Sequence, residues 1–329
     1  MRSALNFLST LTAGKIFNYF LVNLSYYLSL LLKRPVVWGK PYSVSIEPTC
    51  LCCLECPECP TGMGKLKRRT QEMNLQVYEE ILDSIRSTTL YLMLYFQGEP
   101  FMRREICSMI KQSRAKKIFT ATSTNGQFLD DHAAGDIIDS GLDRLIISVD
   151  GTDQATYEKY RVGGDLNTVL TGTRRLMEKR TEQRSDRPEI IYQFLVFRHN
   201  QHQVKSIRKL ARELGVDKLW IKSAQIYREG GPLEPPDIGR YSRYLVDQDG
   251  ALRLKGKLRN RCSRLWRTMV ITTDGVVVPC CFDKIPDFPM GSLHDKDPME
   301  IWKGEKMNEF RRRVLTNRKG IEICRNCTE

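Results

Sequence analysis

A chain of 329 residues is long enough for one large α/β domain with an appendage, or for two ordinary domains. Its 41% hydrophobic content excludes wholesale disorder, and its net charge of +13 favours either anionic partners or a solvated basic surface. Eleven cysteines without a recognisable secretory signal argue against a disulfide framework and for metal binding in a cytoplasmic setting.

The first 46 residues contain no Asp or Glu and carry Arg2, Lys15, Lys33, Arg34 and Lys40. Residues 16–32, IFNYFLVNLSYYLSLLL, form an apolar run of 17 interrupted by Asn18, Asn23, Ser25 and Ser29. That is the short limit for a membrane-spanning helix. The favoured expectation is a helix packed on the main domain. The alternative is peripheral membrane contact through residues 1–34.

From residue 42, β-rich runs at 42–46, 90–96, 118–122, 144–149, 190–197 and 218–221 alternate with helical patterns. The helical stretches fall near 75–86, 102–115, 130–140, 165–180 and 201–214. Such alternation predicts βαβ units, a parallel sheet and an α/β fold. Right-handed crossovers would curl the sheet into an open or partial barrel, with reactive groups at the C-terminal strand ends. Residues 228–261, rich in Gly, Pro and charge, read as a linker, and 262–329 as a short cysteine-bearing module. The expected units are therefore 1–41, 42–227, 228–261 and 262–329.

The stretch CLCCLECPEC at 50–59 holds five thiols. Cys52, Cys56 and Cys59 have the spacing C-x3-C-x2-C, directly after the first predicted strand. Three thiolates on one loop suit three corners of a 4Fe–4S cubane and leave one iron open. A zinc site, built from two separated cysteine pairs, is the alternative.

In its framing, SIEPTCLCCLECPECPTG resembles the radical SAM enzymes, with Cys50 where that family has Asn. The resemblance implies a partial (β/α)6 barrel. Cys52, Cys56 and Cys59 would hold the cluster, and its open iron would chelate S-adenosylmethionine. One-electron cleavage would then give a 5′-deoxyadenosyl radical. Gly98, Glu99 and Pro100, ending the second strand, resemble the family's GEP motif for the methionine amino group. Ser123, Asn125, Ser148 and Asp150 end the next two strands and are candidates for the ribose hydroxyls or the methionine carboxylate; turn formation is their plain alternative. Arg161 resembles the family arginine that pairs with the methionine carboxylate. Gln193 is a further candidate for the adenosine.

Cys262, Cys280, Cys281, Cys324 and Cys327 form a second set, which on chemistry alone would also suit zinc. The segment around them resembles the SPASM or twitch extension of radical SAM proteins, most of all the twitch module of 2-deoxy-scyllo-inosamine dehydrogenase. That implies one auxiliary 4Fe–4S cluster on Cys262, Cys280, Cys324 and Cys327. Cys280 is preferred to Cys281 on the family pattern alone, and Cys50 and Cys53 are spare thiols.

The expected function is hydrogen abstraction from a substrate C–H, leading to oxidation or dehydrogenation of a small molecule. A reductant such as flavodoxin or ferredoxin is implied. The alternatives are radical epimerisation, with Cys50, Cys53 or Cys281 returning the hydrogen atom, and peptide modification. A remote alternative is a zinc-knuckle nucleic-acid binder, supported by the charge and by KLKRR at 65–69, but it leaves GEP without a role.

Overall fold

The computed structural model describes residues 2–227, 230–248 and 250–328. Helices α1 (Arg2–Leu8) and α2 (Ala13–Leu32) come first. Then β1 (Ser43–Ile46), β2 (Tyr91–Met93), β3 (Phe119–Thr124), β4 (Arg144–Ser148), β5 (Glu189–Val196) and β6 (Lys218–Ser223) each pair parallel with the next. Between them lie α3 (Leu75–Ile85), α4 (Ile106–Ala115), α5 (Asp131–Asp139), the short α6 (Gln154–Glu158), α7 (Leu166–Glu182) and α8 (Val204–Glu213). Asn74, Asp130 and Asp165 set the starts of α3, α5 and α7, each side chain accepting from backbone N–H groups of the first turn.

Alternation along the strands divides the sheet into two faces. Val44, Ile46, Leu92, Leu94, Leu145, Ile147, Tyr192 and Phe194 are buried in one core with the helices. Ser43, Ser45, Tyr91, Met93, Ser123, Ser148, Gln193 and Lys222 occupy the opposite parity and face the barrel lumen.

The C-terminal segment is continuous with this sheet. It contains α9 (Arg264–Arg267), β9 (Thr268–Ile271), β10 (Val276–Val278), β11 (Gly291–Ser292), α10 (Pro298–Lys303), α11 (Glu305–Asn317) and α12 (Glu322–Arg325). Strand β9 pairs parallel with β1, in register from Ser43↔Thr268 to Ile46↔Ile271. The β9–β10 hairpin turns at Asp274-Gly275, where Gly275 has φ +73°. The result is one nine-stranded sheet, ordered β11-β10-β9-β1-β2-β3-β4-β5-β6. The segment expected as a linker carries an antiparallel hairpin, β7 (Tyr244–Val246) with β8 (Leu252–Leu254). Tyr244 anchors it: its hydroxyl accepts from Ile226 N and donates to Asn326 Oδ1, at 2.9 and 2.7 Å.

At the strand-start pole, α1 and α2 close the barrel floor. Phe7 meets Phe119 edge-on at 5.6 Å, and Ser3 Oγ donates to Glu189 Oε2 at 3.1 Å. Among the described residues, no helix is long and apolar enough to cross a membrane.

Candidate active site

The loop after β1 brings Cys52, Cys56 and Cys59 together at the strand-end pole. Cys56 is buried, which pushes its thiol up to about 11; the Arg161 guanidinium opposes this, and Cys59 and Cys52 add to it. The three predicted thiols therefore stand within electrostatic reach of one another. Donors surround them: Leu54 N lies 3.5 Å from Cys52 Sγ, and Arg161 Nη1 lies 3.9 Å from Cys56 Sγ. Asn125 Nδ2 reaches both Cys52 Sγ at 3.8 Å and Cys53 Sγ at 3.4 Å. Such donors favour thiolates, so the set fits a cluster that needs three of them. The Cys53 thiol is exposed at the loop surface, and Cys50 is half-buried.

The GEP segment abuts this loop. Gly98 has φ +74°, and a Cβ there would stand 2.3 Å from Thr49 O, so only glycine permits the approach. Glu99 N donates to Leu51 O at 2.7 Å. The Glu99 carboxylate is buried and accepts from Thr124 Oγ1, Asn125 N and Phe101 N at 2.8, 2.6 and 3.1 Å. Burial raises its pKa to about 7. Glu99 thus fixes the end of β3, and the backbone of Gly98–Pro100 lines the loop edge.

Two predicted residues act as one unit. Asp150 Oδ2 accepts from Arg161 Nε and Nη2, both at 2.6 Å, and Asp150 Oδ1 accepts from Leu195 N at 2.6 Å. Tyr160 lies under the guanidinium at 4.9 Å. Asp150 therefore aims Arg161 at Cys56, and its own carboxylate is taken up by these contacts. Asn200, which the sequence reading missed, holds Asp150 O and Leu195 O, both at 2.9 Å. Ser123 and Ser148 face the lumen, and Gln193 Oε1 accepts from Lys222 Nζ at 2.7 Å.

Glu47 was also missed, although it sits inside the IEPT framing. It is fully buried and takes Arg68 through Nε at 2.8 Å and Nη2 at 3.1 Å. It also accepts from Gln97 N and Thr273 N, at 3.2 and 3.0 Å. One carboxylate thereby ties the ends of β1, β2 and β9 to the tail of the cysteine loop. No spacing in the sequence announces this.

In the C-terminal set, Cys262, Cys280, Cys324 and Cys327 are buried. Burial raises Cys280, and the neighbouring Cys281, Cys262 and Cys324 add to the rise. Arg318 couples to Cys262, Cys327 and Cys324, its Nη2 lying 3.3 Å from Cys327 Sγ. Three of these thiols surround the Arg318 guanidinium, and Cys280 joins the set beside Cys262 and Cys324, a donor set that suits a cluster with four protein ligands. Cys281 points the other way. Arg264 Nη1 lies 3.2 Å from its sulfur, and the thiol lines a lumen cavity of about 500 Å³ with Ser45, Met93, Gln97, Arg267 and Lys284. Among the described residues, no Asp or Glu lines that cavity.

Residues 46–211 match the model of the radical SAM superfamily, half of the chain. The chain belongs to the radical SAM superfamily. Residues 262–328 match the SPASM model, an iron–sulfur cluster-binding domain. This radical SAM protein therefore has two domains of kinds that bind 4Fe–4S clusters, and the superfamily's cofactor is S-adenosylmethionine. It is 26% identical over 284 residues to the PqqA peptide cyclase of Gluconobacter oxydans, covering 80% of this chain and 76% of the relative. The fold is similar to BtrN in complex with S-adenosylmethionine and 2-DOIA, with TM-score 0.53, 15% identity, and coverage of 88% of this chain and 94% of BtrN. It is also similar to Streptococcus suis SuiB bound to the precursor peptide SuiA, with TM-score 0.62, 14% identity, and coverage of 88% and 70%.

Proposed function

We propose that this radical SAM enzyme modifies a peptide at an unactivated C–H bond. The observation that carries the chemistry is the convergence of Cys52, Cys56 and Cys59 with Asn125 and the Asp150–Arg161 unit at one pole of the sheet. The peptide cyclase and the peptide-bound SuiB support a peptide substrate over the small-molecule oxidation favoured from sequence.

When bound, the cluster and S-adenosylmethionine together supply a carbon radical able to take hydrogen from a C–H. The protein's own groups position and shield. Cys52, Cys56 and Cys59 would hold the cluster. Arg161, steadied by Asp150, suits the methionine carboxylate, and the Gly98–Pro100 backbone suits the amino group. Ser123, Ser148 and Gln193 line the route for ribose and adenosine. Cys262, Cys280, Cys324 and Cys327 would hold the auxiliary cluster, and a flavodoxin or ferredoxin would supply electrons.

The test is anaerobic turnover of a library of deuterated peptides, followed by mass analysis of 5′-deoxyadenosine. Deuterium should appear in 5′-deoxyadenosine from one peptide class. The Cys52→Ala/Cys56→Ala/Cys59→Ala variant should form none. Transfer from deuterated small alcohols and from no peptide would overturn the peptide reading.

A further inference from the structure

Helix α2 is amphipathic in the reverse sense. Its inward positions are Lys15, Asn18, Val22, Ser25, Tyr26 and Ser29. The polar ones among them are held by the protein. Lys15 Nζ donates to Thr10 O and Lys117 O at 3.2 and 2.6 Å. Asn18 exchanges two bonds with the Lys40 backbone, both at 2.9 Å. Ser25 Oγ accepts from Trp38 N at 3.0 Å, and Ser29 Oγ from Val36 N at 2.9 Å.

The outward face is apolar. Phe17, Phe20, Leu24, Tyr27 and Leu31 recur at alternating steps of three and four, with exposures of 65, 65, 51, 61 and 76%. Leu5 and Leu8 on α1, and Trp38 beyond α2, extend the patch. Of 16 large hydrophobic residues exposed among the described residues, 11 lie in the first 38, so this is a concentrated patch rather than scatter. Water disfavours such a stripe, and packing on the domain does not use it.

We infer that the outward face of α1 and α2 lies in the interface of an anionic lipid bilayer, with α2 parallel to the membrane plane. The stripe from Phe17 to Leu31 runs about 21 Å, and its aromatic rings suit the headgroup boundary. Lys33 and Arg34 are exposed at its end, and no acidic residue precedes Glu47. A bilayer of anionic headgroups complements that charge. A second copy of the same segment brings further cations and no carboxylate to answer them.

The geometry also sets the orientation. Tyr19 packs on Tyr42 at 5.1 Å, Lys15 bonds Lys117, and Asn23 Oδ1 accepts from Arg267 Nη2 at 2.8 Å. Tyr42, Lys117 and Arg267 precede β1, β3 and β9, so α2 lies across the strand-start pole. The cysteine loop opens at the opposite pole. The enzyme would sit with its floor on the lipid and its mouth toward water.

The test is co-sedimentation of the full chain with phosphatidylcholine vesicles containing roughly one-third phosphatidylglycerol, against pure phosphatidylcholine. The wild type should pellet with the anionic vesicles and be released by salt. A Phe17→Gln/Phe20→Gln/Leu24→Gln/Tyr27→Gln variant should partition about tenfold or more weakly, with unchanged circular dichroism, iron content and S-adenosylmethionine cleavage. A wild type that stays in the supernatant overturns the inference. So does a vesicle-free dimer that the same variant dissolves, because the stripe then belongs to a second copy.

Discussion

Asp150 has no charge to offer a ligand, because Arg161 and Leu195 N occupy both of its oxygens. Asp150→Asn keeps the bond to Leu195 and loses the clamp on Arg161. The expected outcome is about tenfold weaker S-adenosylmethionine binding by equilibrium dialysis, with a stability loss of about 2–3 kcal/mol in anaerobic urea unfolding. Normal affinity would remove Asp150 as a positioning residue. A second residue predicts a pH effect. Burial, with Lys159 and His202 adding, lowers the pKa of His199 from 6.5 to about 4. The unfolded chain binds that proton below 6.5 and the folded chain does so only near 4. The contribution of neutral His199 is therefore full above pH 6.5 and falls away as pH drops toward 4. The ring is only partly buried, so screening limits the effect to about 1–2 kcal/mol. His199→Gln should flatten the stability–pH curve over that window, and a curve parallel to the wild type would refute the assignment. At this scale the cysteine triplet was legible because its spacing is its chemistry. The Asp150–Arg161 pair and Glu47 were not, because their partners are set by how strand ends meet.

The six parallel strands were readable from β-rich runs between helical periods, and their order follows from right-handed crossovers. The place of β9 was not readable. Its partner β1 lies more than 200 residues earlier, and a short apolar strand says nothing about which edge it joins. The β7–β8 hairpin was hidden for a different reason: it is short, and its exposed Leu245 and Val246 sit among turn formers. Element geometry sharpens one open choice. Cys280 and Cys281 follow β10 on opposite sides of the chain, one toward Arg318's thiols and one toward the lumen. Cys280→Ser should lose about four irons per chain by anaerobic iron assay, and Cys281→Ser should keep them. Equal losses would show that the two thiols share the ligand role.

At the scale of the whole molecule, the cysteine module is part of the barrel wall. Trp266 Nε1 donates to Val36 O at 2.9 Å, and Trp302 Nε1 to Gly39 O at 3.3 Å, so its two buried indoles are tied to the N-terminal segment. A chain ending at residue 261 would leave β1 without its β9 neighbour and uncover apolar surface. It should be insoluble on expression, and a soluble, cooperatively folding product would show that the barrel stands alone. Glu47 gives this continuity its sharpest form. It ties the ends of β1, β2 and β9 to one another and to Arg68 in the tail of the first cysteine loop. Electron tunnelling decays exponentially with distance. Were clusters held on both sets, the β1–β9 pairing and this buried carboxylate would keep electron exchange between them insensitive to the breathing of surface loops.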